Sequence, residues 1–225
     1  MSSFRVVLDA SVLYPIVKTD ILLHLAEEEL YVPLWSSEIE KEAIRALMRT
    51  GRISGSAARH RFQVMDSAFP HATVRGWEPL VDAVHGLPDP NDRHVVAACL
   101  KGGSSTILTE NLKDFPTEVL DPFGIEALST NEFLLDLLDL DEHKTITAIA
   151  KTLHDRKNPP LTAEELLAPL RQDSNEFVAT VLRLLEEPSP SRKFLTREEF
   201  LSQVPKADAG LRDDLAELDQ EDDLN

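Results

Sequence analysis

The chain has 225 residues, with 40 Asp and Glu against 23 Lys and Arg and a formal charge of −17. At 42% apolar residues it is long enough to bury a core, which excludes a collagen-like or wholly disordered chain. The acidity argues against a protein that grips nucleic acid over its whole surface, and a single cysteine, Cys99, excludes an internal disulfide framework and a Cys-based zinc site.

Phe4–Leu8 is predicted as a short apolar strand, ended by Asp9-Ala10-Ser11. Val12 to about Glu28 reads as one helix with Pro15 in its first turn. Leu30–Leu34 is a second strand. Ser36 or Ser37 caps a helix to about Arg49, with Ile39, Ala43, Ala46 and Leu47 on one face and Gly51 at its end. Ser54 to about Ser67 is a further helix, Ala72–Val74 a short strand and Pro79–His85 a helical turn closed by Gly86. Asp89-Pro90-Asn91-Asp92 caps a helix through Lys101 that Gly102-Gly103 terminates. Cys99 lies in the apolar run Val95–Leu100 and reads as a buried, inert thiol. Thr106–Thr109 and Gly124–Leu128 complete the strands. Strands alternating with helices imply an α/β fold with a mostly parallel sheet.

Beyond residue 130 the strand signal ends. Asn131–Leu140, Lys144–His154, Ala163–Leu170, Asn175–Glu187 and Arg197–Val204 read as helices, with Pro159-Pro160 and Pro188-Ser189-Pro190 as linkers. Residues 207–225 carry eight acids and one base and read as a disordered tail. The expected organisation is an α/β domain over 1–130, a helical extension over 131–206 and the acidic tail over 207–225. There is no secretory pattern at the N-terminus and no apolar run near the roughly 20 residues of a membrane span, so a soluble cytoplasmic protein is expected.

Parallel sheets bind ligands beyond the carboxyl ends of their strands. Asp9 follows the first strand, Asn111 and Asp114 follow the Thr106–Thr109 strand, Asp89 and Asp92 open the helix before that strand, and Glu42 lies in the helix after the second strand. Carboxylates gathered in one place form a hard-oxygen site for Mg²⁺ or Mn²⁺. Without a cation, two charges about 5 Å apart repel by roughly 3 kcal/mol at an effective dielectric near 20. Such a site suits metal-assisted hydrolysis of a phosphodiester. Each acid alone also reads as a turn former, cap or solvated residue; the joint pattern carries the functional reading. Residues 41–75 are locally basic, with Lys41, Arg45, Arg49, Arg52, Arg59, Arg61 and Arg75 against Glu42 and Asp66. They form either a solubilising surface or a rim for substrate phosphates, with Arg45, Arg49 and Arg52 as the candidates. His94 reads as a packing or supporting residue, and Trp35 and Trp77 as core.

Four stretches, Val6–Leu13, Trp35–Glu42, Asp89–Ala98 and Ile107–Pro116, together resemble the PIN-domain family in order and spacing. Within it the chain resembles bacterial VapC-like toxins over about residues 4–130. The resemblance implies a three-layer α/β/α fold and a Mg²⁺- or Mn²⁺-dependent endoribonuclease that leaves a 3′-hydroxyl and a 5′-phosphate. Carried over by position, Asp9, Glu42, Asp92 and Asp114 are the catalytic, metal-binding carboxylates, and Ser11, Thr109 and Asn111 support them. Glu38 competes with Glu42, and Asp89 with Asp92, one turn away in each case. The family also implies the toxin role in a type II toxin–antitoxin pair, an RNA substrate, an antitoxin partner that contacts DNA, and a homodimer. The helical extension resembles that of some VapC-like proteins and reads as a structural cover for the core or as a binding module. A catalytically silent PIN-like scaffold is the alternative. A phosphatase-type site built on Asp9 lacks its second acid, since Ser11 stands two residues on.

Overall fold

The structure is a computed structural model and describes residues 4–51, 53–156 and 161–186. It begins with β1 (Arg5–Leu8), followed by the short α1 (Ala10–Leu13) and α2 (Ile16–Glu27). Then come β2 (Val32–Ser36), α3 (Ser37–Thr50), α4 (Gly55–Ala68) and β3 (Thr73–Val74). Two 3-10 turns, Glu78–Ala83 and Pro90–Asp92, lead into α5 (Arg93–Gly102) and β4 (Thr106–Leu108). A 3-10 turn at Leu112–Asp114, α6 (Thr117–Leu120) and β5 (Glu126–Leu128) end the sheet. The helices α7 (Thr130–Leu140), α8 (Glu142–Asp155), α9 (Ala163–Leu167) and α10 (Asn175–Glu186) follow.

The sheet has the order β3-β2-β1-β4-β5, and every pairing is parallel. Val6 pairs with Pro33 on one side and with Thr106 on the other. The chain thus builds outward from β1 in one direction, then returns to start β4 on the other side of β1. This reversal opens a crevice at the carboxyl ends of β1 and β4. Val6–Leu8 of β1 and all of β4 are buried on both faces, as parallel strands covered by helices must be. Val95 to Cys99 of α5 are fully buried beneath them, and burial pushes the Cys99 thiol up to about 12, which keeps it protonated and inert.

Two expected elements differ. The helix from Val12 breaks at Tyr14, and Pro15 takes an extended conformation that restarts the chain as α2. A continuous helix would drive the proline ring into the preceding turn. The break frees the Leu13 carbonyl, and Thr19 Oγ1 donates to it at 2.8 Å. The second strand lies two residues later than Leu30–Leu34. Glu29 turns through a left-handed conformation with φ 59°, and the Leu30 amide still donates to Leu25 of α2 at 3.3 Å, so Leu30 belongs to the helix end.

The C-terminal helices share the core of the sheet. Phe133 of α7 is 1% exposed and meets Tyr31 edge-on, with ring centroids 5.0 Å apart. α8 packs along α2. The expected helix Arg197–Val204, both proline linkers and the acidic tail lie outside the described residues. Among the described residues no helix is long and apolar enough to cross a membrane.

Candidate active site

Asp9 is the first residue past β1 and is held on all sides. Its amide donates to the Leu108 carbonyl at 3.0 Å, which locks it to the end of β4. Its Oδ1 caps α1 by accepting from the Ala10 amide at 2.7 Å. Its Oδ2 accepts the Ser11 hydroxyl at 2.7 Å and the Thr109 hydroxyl at 2.8 Å. Thr109 is itself placed by its amide, which donates to Leu128 of β5 at 3.0 Å. Oδ2 thus accepts two hydroxyls, and Oδ1, which accepts one amide, keeps a lone pair for a further ligand.

Glu42 arrives on α3. Ser36 ends β2 and caps that helix, accepting from the Ile39 amide at 3.2 Å, so strand and helix meet in a fixed turn. Glu42, Arg45, Ala46 and Arg49 follow at helical spacing on the face that looks into the crevice. Glu42 Oε2 stands 3.3 Å from His94 Nε2, and its Oε1 stands 3.6 Å from Arg45. Asp92 closes the turn before α5. Burial, and then the charges of Asp9, Asp89, Asp114 and Glu42, push its carboxyl from 3.8 up to about 6.

A cleft of about 660 Å³ joins these groups. Asp9, Ala10, Ser11, Tyr14, Glu42, Arg45, Ala46, Met48, Arg49, Asp92 and Asn111 line it. Its floor is acidic, one rim is basic, and Tyr14 and Met48 give it an apolar wall. Asp114 does not line the cleft; it follows Asn111 in a 3-10 turn and acts on Asp92 through its charge. Between the competing acids, Glu42 and Asp92 face the cleft. Glu38 instead bonds Lys41 at 3.0 Å and lies near Arg45, and Asp89 caps the turn before Asp92 by accepting from the Asn91 amide at 2.9 Å.

The basic segment divides. Arg45 and Arg49 reach the cleft, and Arg52 lies outside the described residues. Arg61 is not part of a rim: it is 2% exposed and pairs with Asp20 at 2.7 Å. Burial alone would raise Asp20, but Arg61 and Arg156 hold its carboxyl below the ordinary range. The buried partner sits on α2, 41 residues away in sequence, and nothing local to Arg61 announces it. Tyr14 was likewise illegible as a cleft residue, because it reads as part of a helix that Pro15 in fact breaks.

Among the described residues no three His, Cys, Asp or Glu side chains stand close enough together to enclose a metal ion. The donor chemistry nevertheless fits a hard divalent cation. Three carboxylates face one cleft, and Asp92 is raised first by burial and then by four neighbouring acids, whose charge a bound cation would offset. Glu42 has to turn away from Arg45 and His94 to join such a site.

An all-parallel sheet in the order β3-β2-β1-β4-β5, with a carboxylate cleft at its switch point, defines an α/β protein of the PIN type. The family model described as VapC50 C-terminal domain matches residues 131–184, the helical region. The curated protein "Putative ribonuclease VapC50" of Mycobacterium tuberculosis is 37% identical over 115 residues, which span 51% of this chain and 67% of that protein. The chain belongs to the VapC-like family of PIN-domain toxins. No solved structure matches it.

Proposed function

We propose that this protein is a divalent-metal-dependent endoribonuclease and the toxin of a VapBC-like toxin–antitoxin pair. The observation that carries the reading is the convergence of Asp9, Glu42 and Asp92 on one cleft whose rim holds Arg45 and Arg49. The relative named as a ribonuclease supports it. Asp9, Glu42 and Asp92 would hold Mg²⁺ or Mn²⁺, with Asp114 adding negative charge behind Asp92. When bound, the metal polarises the scissile phosphate and supplies a nucleophilic water at neutral pH.

The chain's own residues do the rest. Ser11 and Thr109 fix the orientation of Asp9 through the two hydroxyls on Oδ2. Asn111 is exposed and lines the same cleft. Arg45 and Arg49 bind flanking phosphates, and Tyr14 and Met48 offer an apolar surface to a base. The products carry a 3′-hydroxyl and a 5′-phosphate. A basic antitoxin segment entering the same acidic cleft competes with RNA, and the complex rather than this chain alone contacts DNA.

Incubation of the purified, antitoxin-free protein with Mn²⁺ and total RNA, followed by sequencing of the new 5′ ends, tests the reading. Discrete 5′-phosphate ends that vanish in Asp9→Asn are expected. Intact RNA, or cleavage undiminished in Asp9→Asn, would refute it. The pairing of Glu42 with Arg45 and His94 favours a second reading, a silent scaffold, which predicts no heat of Mn²⁺ binding by calorimetry.

A further inference from the structure

A charge cluster centred on a buried lysine lies beside the cleft and is not used by the chemistry above. Lys18 of α2 is 3% exposed, and its Nζ donates to Glu110 Oε1 at 2.5 Å and to Asp173 Oδ2 at 2.9 Å. Thr130, the first residue of α7, donates its hydroxyl to the same Glu110 oxygen at 2.5 Å. Asp173 reaches in from the turn between α9 and α10, 155 residues from Lys18. Glu110 stands between Thr109 and Asn111, at the edge of the cleft.

The backbone of this loop continues the chain of contacts. The Glu110 amide donates to Ser11 Oγ at 3.0 Å, and the Asn111 amide donates to Thr109 Oγ1 at 3.0 Å. An amide only donates, so each hydroxyl accepts from the loop and remains free to spend its own proton elsewhere. Both hydroxyls donate to Asp9 Oδ2. The position of residues 109–111 therefore sets the orientation of Asp9. Lys18 and Thr130 anchor that loop by its one long side chain, and Asp173 holds Lys18 from the opposite side.

We propose that Asp173 and Lys18 are positioning residues for the active site. The C-terminal helices hold the 109–111 loop, and through it Asp9, by the Asp173–Lys18–Glu110 ion cluster. The helical extension is then a part of the site rather than only a cover. This inference rests on the proposed metal role of Asp9. Outer partners of metal ligands are worth about 10-fold to 100-fold in metal affinity, and Asp173, which acts on those partners only through Lys18 and Glu110, is expected near the lower limit.

The test compares Asp173→Asn with Asp173→Glu and with Phe177→Leu in the full chain. Phe177 is fully buried in the extension and makes none of the hydrogen bonds of the ion cluster, so its substitution loosens the helices with those bonds' own groups unchanged. Amide hydrogen exchange is read in the metal-free protein, and the Mn²⁺ dissociation constant by calorimetry. Asp173→Asn is expected to speed exchange at Glu110 and Asn111 and to weaken Mn²⁺ binding about 10-fold. Asp173→Glu should restore both, and Phe177→Leu should leave both unchanged. Equal effects of Asp173→Asn and Phe177→Leu would overturn the proposal, because the extension would then act through stability alone. Wild-type exchange and affinity in Asp173→Asn would overturn it as well. If the wild-type protein binds no Mn²⁺, the proposed function fails, and exchange at Glu110 and Asn111 still decides the inference.

Discussion

Asp92 concentrates the electrostatic tension of the cleft. Its carboxyl is pushed up to about 6 by burial and by Asp9, Asp89, Asp114 and Glu42. In the metal-free fold its charged form is thus the disfavoured one. The penalty is absent below about pH 3.8, where Asp92 is protonated both folded and unfolded, and it is complete above about pH 6. Asp92→Asn is therefore expected to raise the Tm of the metal-free protein at pH 7.5. The difference between variant and wild type should shrink as pH falls from 6 towards 4, and a constant difference would assign the effect to packing instead. Added Mn²⁺ should raise the Tm of the wild type and leave that of Asp92→Asn nearly unmoved. On the basic rim, Arg49→Ala is expected to weaken RNA binding and to lower the salt slope of the affinity by about 0.7, the value of one phosphate contact on a single strand. An unchanged slope would remove Arg49 from the path of the substrate. Arg61 obeys a different rule. Buried against Asp20, it is expected to cost about 3 kcal/mol of stability in Arg61→Met while leaving RNA affinity alone.

At the scale of elements, the site depends on turns more than on helices or strands. Ser36 is both the last residue of β2 and the cap of α3, so it fixes the angle at which Glu42, Arg45 and Arg49 enter the cleft. Ser36→Ala is expected to cost about 1 kcal/mol in urea unfolding. It should also reduce Mn²⁺ affinity, because Glu42 loses its fixed approach. A stability loss with unchanged affinity would mean that packing of Ile39, Ala43 and Leu47 alone sets the helix. These elements were largely legible beforehand. Apolar runs, serine caps and the glycines at positions 51 and 103 mark α3, α5 and the inner strands by purely local chemistry. The two misread elements, the helix broken at Pro15 and the strand that begins at Val32, both hinge on the backbone of a single residue. The interruption at Pro15 is what puts Tyr14 on the cleft wall, so a local misreading hid a site residue.

For the whole molecule, the charge of −17 ceases to argue against an RNA substrate once it is distributed. Residues 207–225 hold eight acids and one base, and the acids of the cleft are those that a divalent cation would offset under the proposed function. Arg45 and Arg49 remain as a local positive rim. The C-terminal helices, in turn, are built into the same core as the sheet: Phe133, Leu134, Leu137, Ala148, Ile149 and Phe177 are all buried in it. Truncation after residue 130 would uncover Tyr31 and the α2 face that α8 covers. Such a chain is expected to aggregate or to lose its cooperative thermal transition. A well-folded, RNA-cleaving fragment would show that the sheet domain stands alone.

The sequence by itself determined the order of strands and helices, the parallel sheet and the acids past the strand ends, because caps, periodicity and breakers act over a few residues. The identity of Cys99 as an inert core thiol follows from the same local pattern. Only the tertiary structure shows that Glu42 rather than Glu38, and Asp92 rather than Asp89, lines the cleft, since neighbours one helical turn apart differ only in what they face. It also withdrew Arg61 from the rim to meet Asp20, left Asp114 off the cleft lining, and joined Lys18 to Glu110 and Asp173. Those pairings span from 41 to 155 residues of chain. A charge that finds its partner at such distance leaves no mark on the residues around it, because the contact is made by packing and not by the local chain.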